Sequence, residues 1–96
     1  MSKAIQVSLL GKPGCHLCDD ARAVVAQVVA EFEQAHASET SAPRVELTET
    51  NILEDGSLAQ RYREEIPVLL IDGKVHNYWR IDPIRFRNAL DAIAAE

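Results

Sequence analysis

The apolar run Ala4-Ile5-Gln6-Val7-Ser8-Leu9-Leu10 stops at Gly11-Lys12-Pro13-Gly14, and an amphipathic stretch begins directly beyond it. A short apolar run ended by Gly and Pro reads as a buried strand, here residues 4–10. From about residue 16 to 36 the period changes. Ala21, Val25, Val28, Phe32 and Ala35 recur at steps of three and four, with Val24 and Val29 widening the stripe. That spacing lines one face of a helix. A strand that feeds a helix through a tight turn commits the start of the chain to a strand–helix unit. The helix must lay its stripe on the sheet to which the strand belongs.

The rest of the chain extends this beginning. Ala37-Ser38-Glu39-Thr40-Ser41-Ala42-Pro43 reads as a surface loop. Residues 44–48 alternate, with Val45 and Leu47 on one face, as a half-buried strand does. Asp55 or Ser57 can cap a short helix through about Arg63, with Leu58 and Tyr62 turned inward. Pro67-Val68-Leu69-Leu70-Ile71 is a short apolar strand. Asp72-Gly73 suits a hairpin turn, because Gly accepts positive φ, and Lys74 to about Trp79 forms the return strand. Asp82 reads as an N-cap with Pro83 at the first helical position. Phe86, Leu90, Ile93 and Ala94 make that last helix amphipathic. The order β-α-β-α-β-β-α predicts an α/β fold. Early alternation implies parallel strands, the hairpin adds an antiparallel pair, and helices flank a mixed four-stranded sheet.

A chain of 96 residues favours one domain over residues 1–96. Its formal charge of −5 is the wrong sign for a nucleic-acid partner. No apolar stretch approaches the roughly 18 residues of a membrane span, so no membrane partner is expected. Met1-Ser2-Lys3 leads straight into the short first run, without the longer apolar region of a signal peptide, and a cytoplasmic location follows as an expectation. The chain has two cysteines, Cys15 and Cys18. In a reducing compartment a structural disulfide between them is disfavoured, whereas their spacing suits transient redox chemistry.

Cys15 falls just after the first strand and opens the first helix. Unpaired N–H groups and the positive end of the helix dipole favour a thiolate there, which makes Cys15 the expected nucleophile. Cys18, one turn further on, faces back toward it and can resolve a mixed disulfide. His16, when protonated, can stabilise the Cys15 thiolate; it can equally be an exposed residue at a helix start. Lys12 adds positive charge nearby or is simply solvated. A zinc site asks for four ligands, and no second cysteine pair exists; His16 lies inside the motif, while His36 and His76 are far apart in sequence. Two inert packed cysteines are the other reading that the spacing allows.

Gly11-Lys12-Pro13-Gly14-Cys15-His16-Leu17-Cys18 after a first strand, followed by Glu65-Ile66-Pro67-Val68 before the third, resembles glutaredoxin-like proteins of the thioredoxin superfamily. The chain is most similar to the small bacterial group with a C-x-L-C site and a late tryptophan, here Trp79. The resemblance covers nearly the whole chain. It implies a thiol–disulfide oxidoreductase with a cis Pro67 beside the cysteines, and an Ile66 backbone able to pair with an extended substrate. The Gly-Gly-Asp-like segment with which typical glutaredoxins hold glutathione is replaced by Val75-His76-Asn77-Tyr78-Trp79-Arg80-Ile81-Asp82. Leu9 stands where thioredoxins bury an aspartate. Tyr78, Trp79 and Arg80 are therefore expected to line the substrate groove, or to serve as strand and rim packing. Glutathione is expected to be a poor substrate or reductant. The expected partner is a protein disulfide or a low-molecular-weight thiol, met by a monomer with no bound cofactor. The family also admits two other roles: an iron–sulfur cluster held by Cys15 between two protomers, and an adaptor without turnover.

Overall fold

A computed structural model describes residues 4–96; Met1-Ser2-Lys3, weighed above against a signal peptide, lies outside the described residues. The elements in chain order are β1 (Ala4–Gly11), α1 (His16–Ala35), β2 (Arg44–Asn51), a 3-10 turn (Ile52–Glu54), α2 (Gly56–Tyr62), β3 (Val68–Ile71), β4 (Lys74–Tyr78) and α3 (Pro83–Ala94). The strands form one four-stranded sheet in the order β2-β1-β3-β4. β1 runs parallel to β2 and antiparallel to β3, and β3 runs antiparallel to β4. Among the described residues no helix is long and apolar enough to cross a membrane.

The pleat divides the core. Successive side chains of a strand point to opposite faces. Ile5, Val7 and Leu9 of β1, with Leu69 and Ile71 of β3, meet Ala21, Val25, Val28 and Phe32 of α1 and Phe86 and Leu90 of α3. Leu10 and Val68 face the other way and pack with Ile52, Tyr62 and Ile66, and Cys18 joins this second cluster. The two cysteines therefore sit where β1 and α1 meet, against the second cluster.

Local signals explain most boundaries. Asp55 caps α2 by accepting from the N–H groups of Ser57 and Leu58, and Asp82 caps α3 by accepting from Ile84 and Arg85. Such caps satisfy N–H groups that have no intrahelical partner. Asp72 and Gly73 both take positive φ, 50° and 83°, as a two-residue hairpin of the mirror-image kind requires. The Asp72 carboxylate accepts the Gln6 N–H at 3.0 Å, and the Asp72 N–H donates to the Gln6 carbonyl at 2.7 Å, which ties the turn to β1.

Three expectations are corrected. Ala35, counted in the helical stripe, is exposed, because α1 has reached its last residue and passed the edge of the core. Leu47 is also exposed: β2 is an edge strand, and α1 covers only part of it. The strand itself continues to Asn51 rather than ending at residue 48, because parallel pairing with β1 runs from Ala4↔Arg44 to Gly11↔Asn51.

Candidate redox site and its flanks

Cys15 is the N-cap of α1. Its backbone is extended (φ −105°, ψ 112°), and its sulfur accepts the Cys18 N–H at 3.2 Å. The sulfur thus takes the place that a Ser or Asp oxygen usually holds, at the positive end of the helix dipole. Pro13 and Gly14 form the turn before it; Gly14 has φ 75°, which Gly adopts without steric cost. The Cα atoms of Cys15 and Cys18 are 5.2 Å apart, and the two residues are paired as a disulfide. That separation lies within the usual range for a bridge. Cys15 is half-buried, whereas Cys18 is buried at 2% exposure. Of the pair, only Cys15 offers surface to a partner.

Gly11, the last residue of β1, lies directly behind Cys18. A Cβ at Gly11 would stand 3.1 Å from Cys18 Sγ and 3.2 Å from Cys18 Cβ. The missing side chain is what lets strand and sulfur approach this closely. Nothing in the local pattern marks Gly11 as more than a strand terminator, so this role is visible only in the packing.

Ile66 and Pro67 are buried beside the pair: Ile66 shares the second cluster with Cys18, and Cys15 packs against that cluster. The Ile66–Pro67 peptide is cis. Among the described residues no hydrogen bond forms to the Ile66 backbone, while the Pro67 carbonyl accepts the Trp79 N–H at 2.8 Å. Trp79 is 54% exposed. It has φ 59°, an outlying conformation for a bulky residue, and its indole N–H donates to the Glu64 carbonyl at 3.1 Å. These two hydrogen bonds hold Trp79 to the segment that leads into β3.

The residues assigned to substrate binding do not share one groove. Lys12 lines a cleft of about 370 Å³ together with Gly11, Cys18, Arg22, Glu49 and Glu54, on the β2 side of α1. Arg22 donates to Glu49 at 3.0 Å and to Asp19 at 3.0 Å. Trp79 and Arg80 line a smaller pocket of about 120 Å³ that includes Leu17 and Val24 of α1. His16 is exposed at the first residue of α1 and lines neither. The β2-side cleft escaped the sequence reading, because its acids come from β2 and the turn after it, far along the chain from Cys18.

Two histidines lie away from the pair. Hydrogen bonds to Asp91 and Glu39 raise the His36 pKa above its ordinary value, and the bond to Asp91 ties the end of α1 to α3. His76 is shifted the other way, chiefly by burial and then by Arg85. Its Nε2 is buried without a hydrogen-bond partner. Among the described residues no group of three or more His, Cys, Asp or Glu side chains is placed to hold a metal ion.

A sheet of this order, with a cysteine pair at the start of the helix after its central strand, defines a glutaredoxin-like protein of the thioredoxin superfamily. The model of the Glutaredoxin-like domain (DUF836) matches residues 6–91, and the chain belongs to that family. An uncharacterized protein of Mycobacterium tuberculosis is 29% identical over 82 residues, covering 85% of this chain and 78% of its own. The X-ray structure of a protein from X. campestris is 28% identical, with a TM-score of 0.64 over 90% of this chain and 96% of that one. The fold alone is shared with a mutant thioredoxin from Halobacterium salinarum, which is 17% identical with a TM-score of 0.56 over 94% of this chain and 74% of that one. Family and cysteine pair together suggest a redox role.

Proposed function

We propose that the protein is a dithiol–disulfide oxidoreductase acting on disulfides of other proteins, with Cys15 as nucleophile and Cys18 as resolving cysteine. The observation that carries this reading is the position of the Cys15 sulfur. Cys15 is half-buried, and its sulfur caps α1 by accepting the Cys18 N–H and is bonded to a buried Cys18. Reduction of the pair turns that cap into a thiolate held by a backbone donor and a helix dipole, both of which favour the charged form.

The cycle begins with the reduced pair. The Cys15 thiolate attacks one sulfur of the substrate disulfide; a Cys15–substrate bond forms, the substrate S–S bond breaks, and one substrate thiolate leaves and takes a proton. Cys18 loses its proton and attacks the Cys15 sulfur. The Cys15–Cys18 bond forms and the second substrate thiolate departs. The substrate gains two electrons and the pair loses them, and an external thiol or dithiol restores the dithiol by the reverse exchange. In that reversal the external thiolate attacks the accessible Cys15 sulfur and Cys18 departs; a second thiol then attacks the reductant's sulfur and releases Cys15, which leaves fast if its pKa is low.

The free N–H and C=O of Ile66 support an extended substrate segment pairing there, since main-chain hydrogen bonds give such a segment affinity without demanding a sequence. Lys12 and Arg80 flank the site on opposite sides and can attract carboxylates; His16 places an exposed imidazole next to Cys15 in the chain. In place of the family's Gly-Gly segment, Tyr78 and Trp79 crowd a glutathione-sized ligand, and deglutathionylation is expected to be slow.

The decisive experiment is trapping. A Cys18→Ser variant cannot resolve and should accumulate mixed disulfides through Cys15 with protein partners, released by dithiothreitol and identified by mass spectrometry. A Cys15→Ser variant should trap none. Equal trapping by both variants, or by neither, refutes the reading.

A further inference from the structure

The pocket beside the cysteine motif has no role in the exchange chemistry itself, and its lining is specific. Leu17, the residue between His16 and Cys18, stands on α1 with Ala21 and Val24 at helical spacing, and Trp79 and Ile81 close the opposite side. These side chains are apolar. Asp20 and Arg80 stand among them, and neither makes an ion pair with another described residue. Trp79 is held in place by the Glu64 and Pro67 carbonyls, so the wall of the pocket is tied to the segment that carries the free Ile66 backbone. The pocket thus adjoins the cysteine motif through Leu17 and the Ile66-Pro67 segment through Trp79, the two places that an extended chain pairing at Ile66 and bringing a sulfur to Cys15 must approach. The side chains of such a chain alternate in direction, so one neighbour of its cysteine can turn inward.

We propose that this pocket is a specificity site for the protein substrate, taking one aliphatic side chain next to the substrate cysteine; it rests on the oxidoreductase reading above. A volume of about 120 Å³ matches one such side chain rather than a longer segment. The carboxylate of Asp20 and the guanidinium of Arg80, without ion-pair partners among the described residues, line the pocket and suit the N–H and C=O groups of a peptide backbone on either side of the inserted residue. A substrate whose cysteine is followed by leucine gains apolar burial that a glycine-flanked one lacks, worth about tenfold in kcat/KM for a partly covered side chain.

The test uses short disulfide peptides that differ only at the residue beside cysteine: leucine, glycine or aspartate. The reduced wild-type protein should reduce the leucine peptide about tenfold faster than the glycine peptide. Val24→Asp should bring that ratio near one, whereas Leu53→Ser, a change at an exposed side chain outside the pocket, should preserve it. Because Val24 also touches the core, binding is measured separately on the unaltered protein. Trp79 is the only tryptophan, so its emission reports occupancy when the oxidised protein meets peptides carrying serine for cysteine. A blue shift with the leucine peptide and none with the glycine peptide is expected. Equal rates on all three peptides, or an emission that ignores them, overturns the pocket while leaving the oxidoreductase reading intact. No reduction of any disulfide peptide, alongside trapping by neither cysteine variant, overturns that reading instead. A larger response to S-methylglutathione than to the leucine peptide places a charged tripeptide in the pocket, and an emission that depends on protein concentration before any peptide is added places a second copy there; both refute the proposal.

Discussion

Gly11→Ala tests the coupling between the sheet and the redox pair. The new methyl carbon would lie 3.1 Å from Cys18 Sγ and 3.2 Å from Cys18 Cβ. Carbon atoms rest at about 3.5–4.0 Å, so several tenths of an ångström must be found by Cys18, which the second core cluster already packs. Overpacking of this kind costs about 1–3 kcal/mol. Replacing glycine returns about 0.4–1 kcal/mol through the unfolded chain, since the φ of Gly11 is not positive. The net loss in the oxidised protein is thus about 0–2.5 kcal/mol. The reduced protein should lose less, because a free Cys18 thiol can turn away from the methyl group, whereas a bonded sulfur cannot. If about 1–2 kcal/mol of the strain is released on reduction, the dithiol–disulfide equilibrium moves about 5–30-fold toward the dithiol, or roughly 20–40 mV for two electrons. Equilibration in dithiothreitol or glutathione buffers, read by alkylation and mass spectrometry, measures that shift. Denaturant titration of both redox forms must return the same difference, since the four states close a cycle. A redox equilibrium within about twofold of wild type, with both forms equally stable, would show that Cys18 yields freely and that Gly11 does not position it.

Iodoacetamide alkylation of Cys15 in the reduced protein should show a midpoint well under the free-thiol value of about 8.5, and a midpoint at or above it removes the argument from the helix cap. The folded-state pKa of His36 is raised by Asp91 and Glu39. Its contribution to stability is therefore fully present below the unfolded value of about 6.5 and is lost as pH rises through the folded value; denaturant midpoints at several pH values should show this slope in wild type and not in His36→Gln. His76 is lowered by burial, so its contribution holds above about pH 6.5 and is lost as pH falls through its folded value; His76→Leu should remove that acid-side loss in the same titration. Phe86 is fully buried between α3 and the sheet. Phe86→Ala should lose about 3–5 kcal/mol, seen as a fall in denaturant midpoint at unchanged m-value, and a loss under about 1 kcal/mol would mean that α3 is not docked as described.

What could be read from the chain alone is what neighbouring residues decide among themselves. The β1–α1 unit follows from an apolar run, a Gly-Pro break and a helical stripe within a few turns of chain. The Asp72-Gly73 hairpin follows from the positive φ that Gly accepts, and the α3 start from an Asp cap and Pro83. Cys15 and Cys18 are legible for the same reason: a helix start with that spacing brings the two sulfurs together whatever surrounds them. Ala35 and Leu47 were placed inward because periodicity tells which side of an element is apolar, not how far the covering layer extends; their exposure depends on where α1 ends and on β2 lying at the sheet edge. The contacts that shape the site had no local signature. Gly11 meets Cys18 because α1 packs back across β1. Glu49 reaches Arg22 because β2 pairs with β1 in one register. Trp79 joins Leu17 because its two hydrogen bonds, to Glu64 and Pro67, cross between segments that share no sequence pattern. Burial, access and the split between the two flanks of the cysteine pair are set by surfaces from distant parts of the chain, and those surfaces meet only when the sheet is assembled.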